Sequence, residues 1–288
     1  MTTFILNSLV LIAIYGILTL SLNLQYGLAG LLNFGQALFF AVGAYAVAVA
    51  RYHELPVWFG LAIAPIAGGL MGAAVALPAR RLDGKYWALL TLAVSELFLV
   101  VVRNETWIAG GARGTRGIAS VESWLLFIIL CLLTALIVFG FERLRRSQFG
   151  RVLRTMREDP LLARTFGRDL AYYQTMVMVL GGVSGAIAGA ALAHSVTFVA
   201  PDVFPLHETL LVWIMLVVGG LGNNVGAIVG AFLVQGTFTI SRLAPDVPNL
   251  TAEQTSLGRL IIVSVVFIVI LVVRPKGALP ERPVRYDA

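Results

Sequence analysis

Two blocks of this chain, FILNSLVLIAIYGILTLSLNL near its start and SLGRLIIVSVVFIVILVV near its end, carry at most one charge over the length of a bilayer. A helix rises 1.5 Å per residue, so about 20 apolar residues cross a hydrocarbon core of about 30 Å. Such segments satisfy their backbone hydrogen bonds internally, which lipid cannot do for them. The remainder of the chain agrees with this reading. It is 59% hydrophobic and 12% charged, half of the roughly 25% charged residues of a soluble domain. The sequence therefore predicts an all-α polytopic membrane protein.

Apolar periodicity and length give about nine crossings, within a range of 8–10, at 4–22, 36–50, 57–78, 86–102, 123–141, 172–194, 207–221, 224–243 and 257–273. The whole chain, 1–288, reads as a single transmembrane domain with a charged loop at about 142–171 and a tail from about 274 to 288. With the N-terminus outside, the inner loops are 23–35, 79–85, 142–171, 222–223 and the tail, and they hold fifteen of the 21 Lys and Arg residues. The positive-inside rule then places the N-terminus outside and the C-terminus in the cytoplasm. The start of the chain has no basic n-region and no A-x-A-like cleavage site, so it reads as a retained first span. Clustering of the basic residues in loops between spans argues against nucleic-acid binding, despite a net charge of +6. Cys131 is alone, so an internal disulfide is impossible, and its place in an apolar run points to packing.

Two Gly-rich interruptions, YGLAGLLNFGQALFFAVGAY at 26–45 and GGLGNNVGAIVGAF at 219–232, fall on the same expected side. Glycine permits unwinding or close backbone approach, and Asn33, Gln36, Asn223 and Asn224 supply polar groups beside it. Transporters place such breaks along a translocation path. Small-residue helix packing with ordinary turn asparagines accounts for them equally well. Glu96, beside Ser95 in TLAVSELFLVV, is an acid inside a span, which costs roughly 2.5–3.5 kcal/mol on insertion scales. It is expected to face the bundle interior or water, either as a path residue or as a structural hydrogen-bond partner.

The charged stretch RTMREDPLLARTFGRDL, 154–170, differs from everything around it. Upstream, Phe149, Val152, Leu153 and Met156 fall at i, i+3, i+4 and i+7, with Arg151, Arg154 and Arg157 largely off that stripe, which predicts an amphipathic helix. A second, very short helix follows, with Asp159 as N-cap, Pro160 in the first turn and Gly167 at the left-handed position after the end. A helix of about two turns is marginal alone and gains stability by docking. Its partly apolar face, Leu161, Leu162, Thr165 and Phe166, suits a partner's groove. An inner-leaflet lipid contact explains the first helix well and the punctuated second one poorly. No Walker A sequence is present, because Gly84-Lys85 is followed by Tyr86 and lacks the upstream glycine. His53, His194 and His207 are far apart near outer span ends, and neither a metal nor a nucleophile constellation is visible.

Six stretches in register carry a family resemblance: GLAGLLNFGQALFFAVGAYAVA, YWALLTLAVSELFLVVVRN, TWIAGGARGTRGI, GRVLRTMREDPLLARTFGRD, MVMVLGGVSGAIAGAALAH and APDVFPLHETLLVWIMLVVGGLGNNVGAIVGA. In order and spacing the chain resembles the integral-membrane permease of bacterial branched-chain amino-acid ABC importers, nearer the LivM than the LivH branch. The resemblance implies a subunit of the cytoplasmic (inner) membrane that pairs with a second permease subunit, usually a different one. It also implies an extracytoplasmic substrate-binding protein and two cytoplasmic ATPases, which would hold the ATP and magnesium, leaving no cofactor in this chain. The loop after the fifth span is similar to the family's ATPase-coupling segment, which makes Arg157, Glu158, Asp159, Pro160, Leu161, Leu162, Ala163 and Gly167 the expected coupling core. The LivM pattern often has alanine-glutamate-alanine where this chain reads Ala163-Arg164-Thr165, a reversed charge that implies an adapted partner surface. The family also tends to carry an acid at Glu96. Branched-chain amino acids are the default substrate as the family's commonest assignment, and similar permeases also serve urea, amides and aromatic acids. A sugar permease of the same superfamily, or a secondary transporter working without ATP, is the rival reading. The capped cytoplasmic helix argues against the latter.

Overall fold

The computed structural model describes residues 2–79, 82, 84–243, 258, 261, 264–265, 267–269 and 272–281, the side chains of 2, 57, 242 and 243 excepted. Helix α1 (Thr2–Leu22) runs on without a break into a π-helical turn, Asn23–Leu28. Then come α2 (Gln36–Tyr52), α3 (Val57–Ala79), α4 (Gly84–Asn104) and α5 (Ser123–Arg146). Two short helices, α6 (Gln148–Glu158) and α7 (Pro160–Thr165), precede α8 (Leu170–Val196), α9 (Leu206–Gly219) and α10 (Asn224–Leu243). Among the described residues, seven helical segments are long and apolar enough to cross a membrane, and α2, at 17 residues, is a shorter apolar helix. This is an all-α polytopic membrane protein. About half of the expected ninth crossing, 257–273, falls outside the described residues, as do Arg80, Arg81, Asn249–Thr251, Arg259 and the tail beyond Glu281.

Helix α8 occupies the middle of the bundle, against α1, α2 and α3, and 15 of its 27 residues are buried. Its small side chains allow backbones to approach closely, which is how helices associate in lipid without a hydrophobic driving force. A Cβ on Gly43 of α2 would lie 1.9 Å from the Ala186 carbonyl oxygen, and one on Gly68 of α3 would lie 2.3 Å from that of Gly182. Glycine is required at both crossings. Helix α5 lies at the periphery, with Leu132, Leu136 and Phe139 exposed. Cys131 sits on its exposed side rather than in packed interior, a correction to the packing role expected from its apolar run.

A second correction concerns residues 23–35, expected as an inner loop. Most of them are buried, because Asn23, Gln25 and Asn33 find hydrogen-bond partners inside the bundle. A two-residue ribbon, β1 (Thr115–Arg116) against β2 (Phe198–Val199), is antiparallel and joins the loop after α4 to the end of α8. Helix α8, at 27 residues, is about 40 Å long, so this ribbon and the α6–α7 pair lie at opposite ends of the bundle.

Candidate functional site

Helices α6 and α7 form as the residues dictate. Leu153 and Met156 turn inward, and Phe149 meets the Tyr173 ring at 5.0 Å. The Asp159 carboxylate accepts from the Leu161 and Leu162 amides at 2.8 and 3.1 Å, Pro160 occupies the first helical position, and Gly167 has φ +68°. Ala163 is buried, whereas Leu161 (70%), Leu162 (46%) and Phe166 (69%) are exposed. Glu158, Asp159, Pro160 and Gly167 are exposed with them. A helix of six residues and its C-cap, Phe166, therefore present three large apolar side chains outward. Beside it runs a groove of about 410 Å³ with Arg151, Thr155, Phe166 and Arg168 in its walls.

The polar residues of the first Gly-rich break are drawn into one buried knot. Asn33 donates to Gln25 and Gln36, and its side-chain oxygen accepts from the Gly35 amide at 2.7 Å. Gln36 donates to the Ser21 hydroxyl at 2.8 Å, and Ser21 in turn donates to the Gly181 carbonyl at 2.7 Å. Thr91 and Thr209 accept from the Phe34 and Ala37 amides, and Trp213 donates to the Asn33 carbonyl. Asn33 and Gln36 have no exposed surface. Each donor lost here would strand others, since buried polar groups left unpaired cost about 1–3 kcal/mol each. The sequence reading singled out Asn33 and Gln36 and missed Ser21, Gln25, Thr91 and Thr209. Polar residues inside the run SLNLQYGLAG were the available signal.

The second break has a different local role. Asn223 caps α10, accepting from the Val225 and Gly226 amides, and donates to the carbonyls of Leu279 and Pro280. Asn224 accepts from Asn23 at 3.0 Å and reaches Glu142, which pairs with Arg145 at 2.6 Å and Arg146 at 2.8 Å. Asn23 also accepts from the Gly222 amide. The two breaks thus meet at one end of the bundle, through side chains about 200 residues apart in sequence.

On α4, Trp87, Thr91, Ser95, Leu99 and Val102 form the buried stripe. Glu96 lies on the opposite, exposed stripe with Leu89, Ala93, Leu97 and Val100, away from the interior of its own bundle. It has no hydrogen-bond or ion-pair partner among the described residues. A second acid, Glu208 at the start of α9, was not singled out from sequence; it accepts from the Tyr15 hydroxyl at 2.7 Å and ties α9 to α1. At the far end, Arg103 pairs with Asp202 at 2.7 Å, and the buried His194 meets the Ala119 carbonyl at 2.8 Å. His53 is exposed there too. Among the described residues no group of three His, Cys, Asp or Glu side chains could hold a metal ion.

The many-span helical bundle, with polar seams inside, is that of an integral-membrane protein, and the comparisons with known proteins give its class. The family model for the branched-chain amino acid transport system permease component matches residues 4–272, and the chain belongs to that family. It is similar to the "Probable branched-chain amino acid transport permease protein LivM" of Methanocaldococcus jannaschii, at 29% identity over 94% of this chain and 92% of that protein. The high-affinity branched-chain amino acid transport system permease protein LivM of Escherichia coli K12 is 28% identical over 93% of this chain and 68% of its own length. A LivH permease of M. jannaschii matches at 24% identity over 76% of this chain. The LivM-like expectation is thereby met, and the chain is a transport subunit rather than an enzyme. No solved structure matches this chain.

Proposed function

We propose that this chain is one half of the translocation path of an ATP-driven importer of branched-chain amino acids, built with a second permease subunit. Two cytoplasmic ATPases, which bind the ATP and Mg²⁺, grip the α6–α7 segment, and an extracytoplasmic binding protein delivers the substrate. The observation that carries this reading is the outward display of Leu161, Leu162 and Phe166 on a capped helix of six residues. Lone short helices are unstable in water, so a docked partner explains both its sharp capping and its exposed face. The basic residues of α5 and α6 support a cytoplasmic position for that end under the positive-inside rule, and the proposed topology sets the C-terminus on the same side and the ribbon end outside. Nine crossings of a bacterial-type inner membrane, counting α2 and 257–273, complete this topology.

The exposed stripe around Glu96 fits the same reading. A carboxylate facing acyl chains is costly, so the stripe belongs against water or the second permease subunit, with Ser95 behind it. Asn33 and Gln36 brace the bundle behind α4, whose Thr91 accepts from the Phe34 amide, and Asn223 and Asn224 brace the end that carries α6 and α7. The test is reconstitution. The chain co-expressed with its sister permease, ATPases and binding protein is expected to import leucine only with ATP. Leu162→Asp is expected to lower co-purified ATPase by at least about fivefold, the equivalent of ~1 kcal/mol at an interface anchor. Leucine uptake without ATPase subunits would overturn the reading.

A further inference from the structure

Helix α6 is tethered to its neighbouring helices through non-helical joints. Ser147, with ψ 176°, breaks the path from α5, and residues 166–169 separate α7 from α8. Displacement of α6 and α7 would be absorbed at both joints unless something else ties them to the bundle. Besides the packing of Phe149 on Tyr173, a polar tie is visible at the end of the first span. Past the π-helical turn Asn23–Leu28 the helix closes at Gly30, whose φ is +72°, with the Leu31 amide bonded to the Gln25 carbonyl at 2.9 Å in the six-to-one pairing of a helix C-terminus. The Gly27 carbonyl lies in this last turn, where carbonyls have no intrahelical partner, and Arg157 of α6 donates Nη1 to it. A cation suits the negative end of a helix. The stem of Arg157 lies on Gly30, where an added Cβ would meet its Cγ at 2.9 Å.

The other arm of the same guanidinium, Nη2, donates to Glu281 at 2.8 Å, with Arg154 3.9 Å from the second carboxylate oxygen. Glu281 is itself anchored. The Ala278 and Leu279 amides bond the carbonyls of Val218 and Gly219 at the end of α9, and Asn223 donates to Leu279 and Pro280. A Cβ on Gly222, whose φ is +76°, would lie 2.8 Å from the Glu281 carboxyl carbon. The planar fork of arginine holds two partners in fixed directions, which a single flexible ammonium cannot do.

We infer that Glu281 is a positioning residue for coupling: it aims Arg157 at the Gly27 carbonyl, so that motion imposed on α6–α7 is passed directly to the first span. This rests on the reading that ATPases grip α6–α7. The experiment uses the full reconstituted importer and reads leucine imported per ATP hydrolysed. Glu281→Gln is expected to lower that ratio about three- to tenfold with ATPase still co-purifying at wild-type amounts. Arg157→Gln is expected to lower it further, and the double variant to match Arg157→Gln alone, since Glu281 acts through Arg157. A wild-type ratio for Glu281→Gln, or losses that multiply in the double variant, would overturn the inference. Should Arg157→Gln not assemble, Glu281→Asp against Glu281→Gln replaces the cycle: substantial recovery with the retained charge supports positioning, and equal loss in both refutes it. A wild-type complex that holds no ATPase would instead overturn the proposed function.

Discussion

Glu96 and Asn33 both read, in sequence, as polar groups inside apolar runs, and the fold gives them opposite surroundings. Asn33 is fully buried and its carboxamide is used on both sides, by Gly35, Gln25 and Gln36. Glu96 faces outward with no partner among the described residues. A residue that closes its own hydrogen bonds stabilises the bundle; one that leaves them open needs water, substrate or another subunit. Glu96→Gln is therefore expected to insert and assemble normally while leucine uptake falls about tenfold, equivalent to ~1.4 kcal/mol. Full uptake by this variant would remove any essential role for the charge. The roles of Asp159 and Gly167 were legible because a cap or a left-handed turn depends on a few adjacent residues. The partners of the Asn33 segment were not, because Thr91 reaches it from α4 and Thr209 and Trp213 from α9.

At the level of elements, α7 is held by its cap. Removing an N-cap side chain costs about 1 kcal/mol, whereas asparagine caps as well as aspartate does. Asp159→Ala is expected to fray α7 and reduce co-purified ATPase about fivefold, while Asp159→Asn retains it. Equal loss in both would show that the charge of Asp159, and not the geometry of the helix, matters. Helix ends at α3, α4 and α8 agree with the sequence reading to within about two residues, the usual uncertainty of such boundaries. The π-helical extension of α1 was not legible. The stretch reads as a glycine-rich loop until the hydrogen bonds from α10 and α6 are known.

Across the whole molecule, α8 separates the ribbon end from the α6–α7 end, and the proposed topology makes one extracytoplasmic and the other cytoplasmic. Cysteines at Arg113 and Leu161, introduced singly with Cys131→Ser, are expected to react with an impermeant thiol reagent from opposite sides of sealed cells and inverted vesicles. Labelling of both from one side would exclude the topology and, with it, the grip of a cytoplasmic motor.

The membrane class, the approximate position of each described span, the capped α7 helix and the family pattern were determined by the sequence itself, because hydropathy, periodicity and capping are local and need no partner. The tertiary structure decided which polar groups are used up inside the bundle and which remain open. It turned Glu96 outward, buried Asn33 and Gln36, and brought Arg157 to Glu281 across 124 residues of chain. Those outcomes depend on helix rotation and close packing across the small residues of α8, which bring together side chains far apart in sequence.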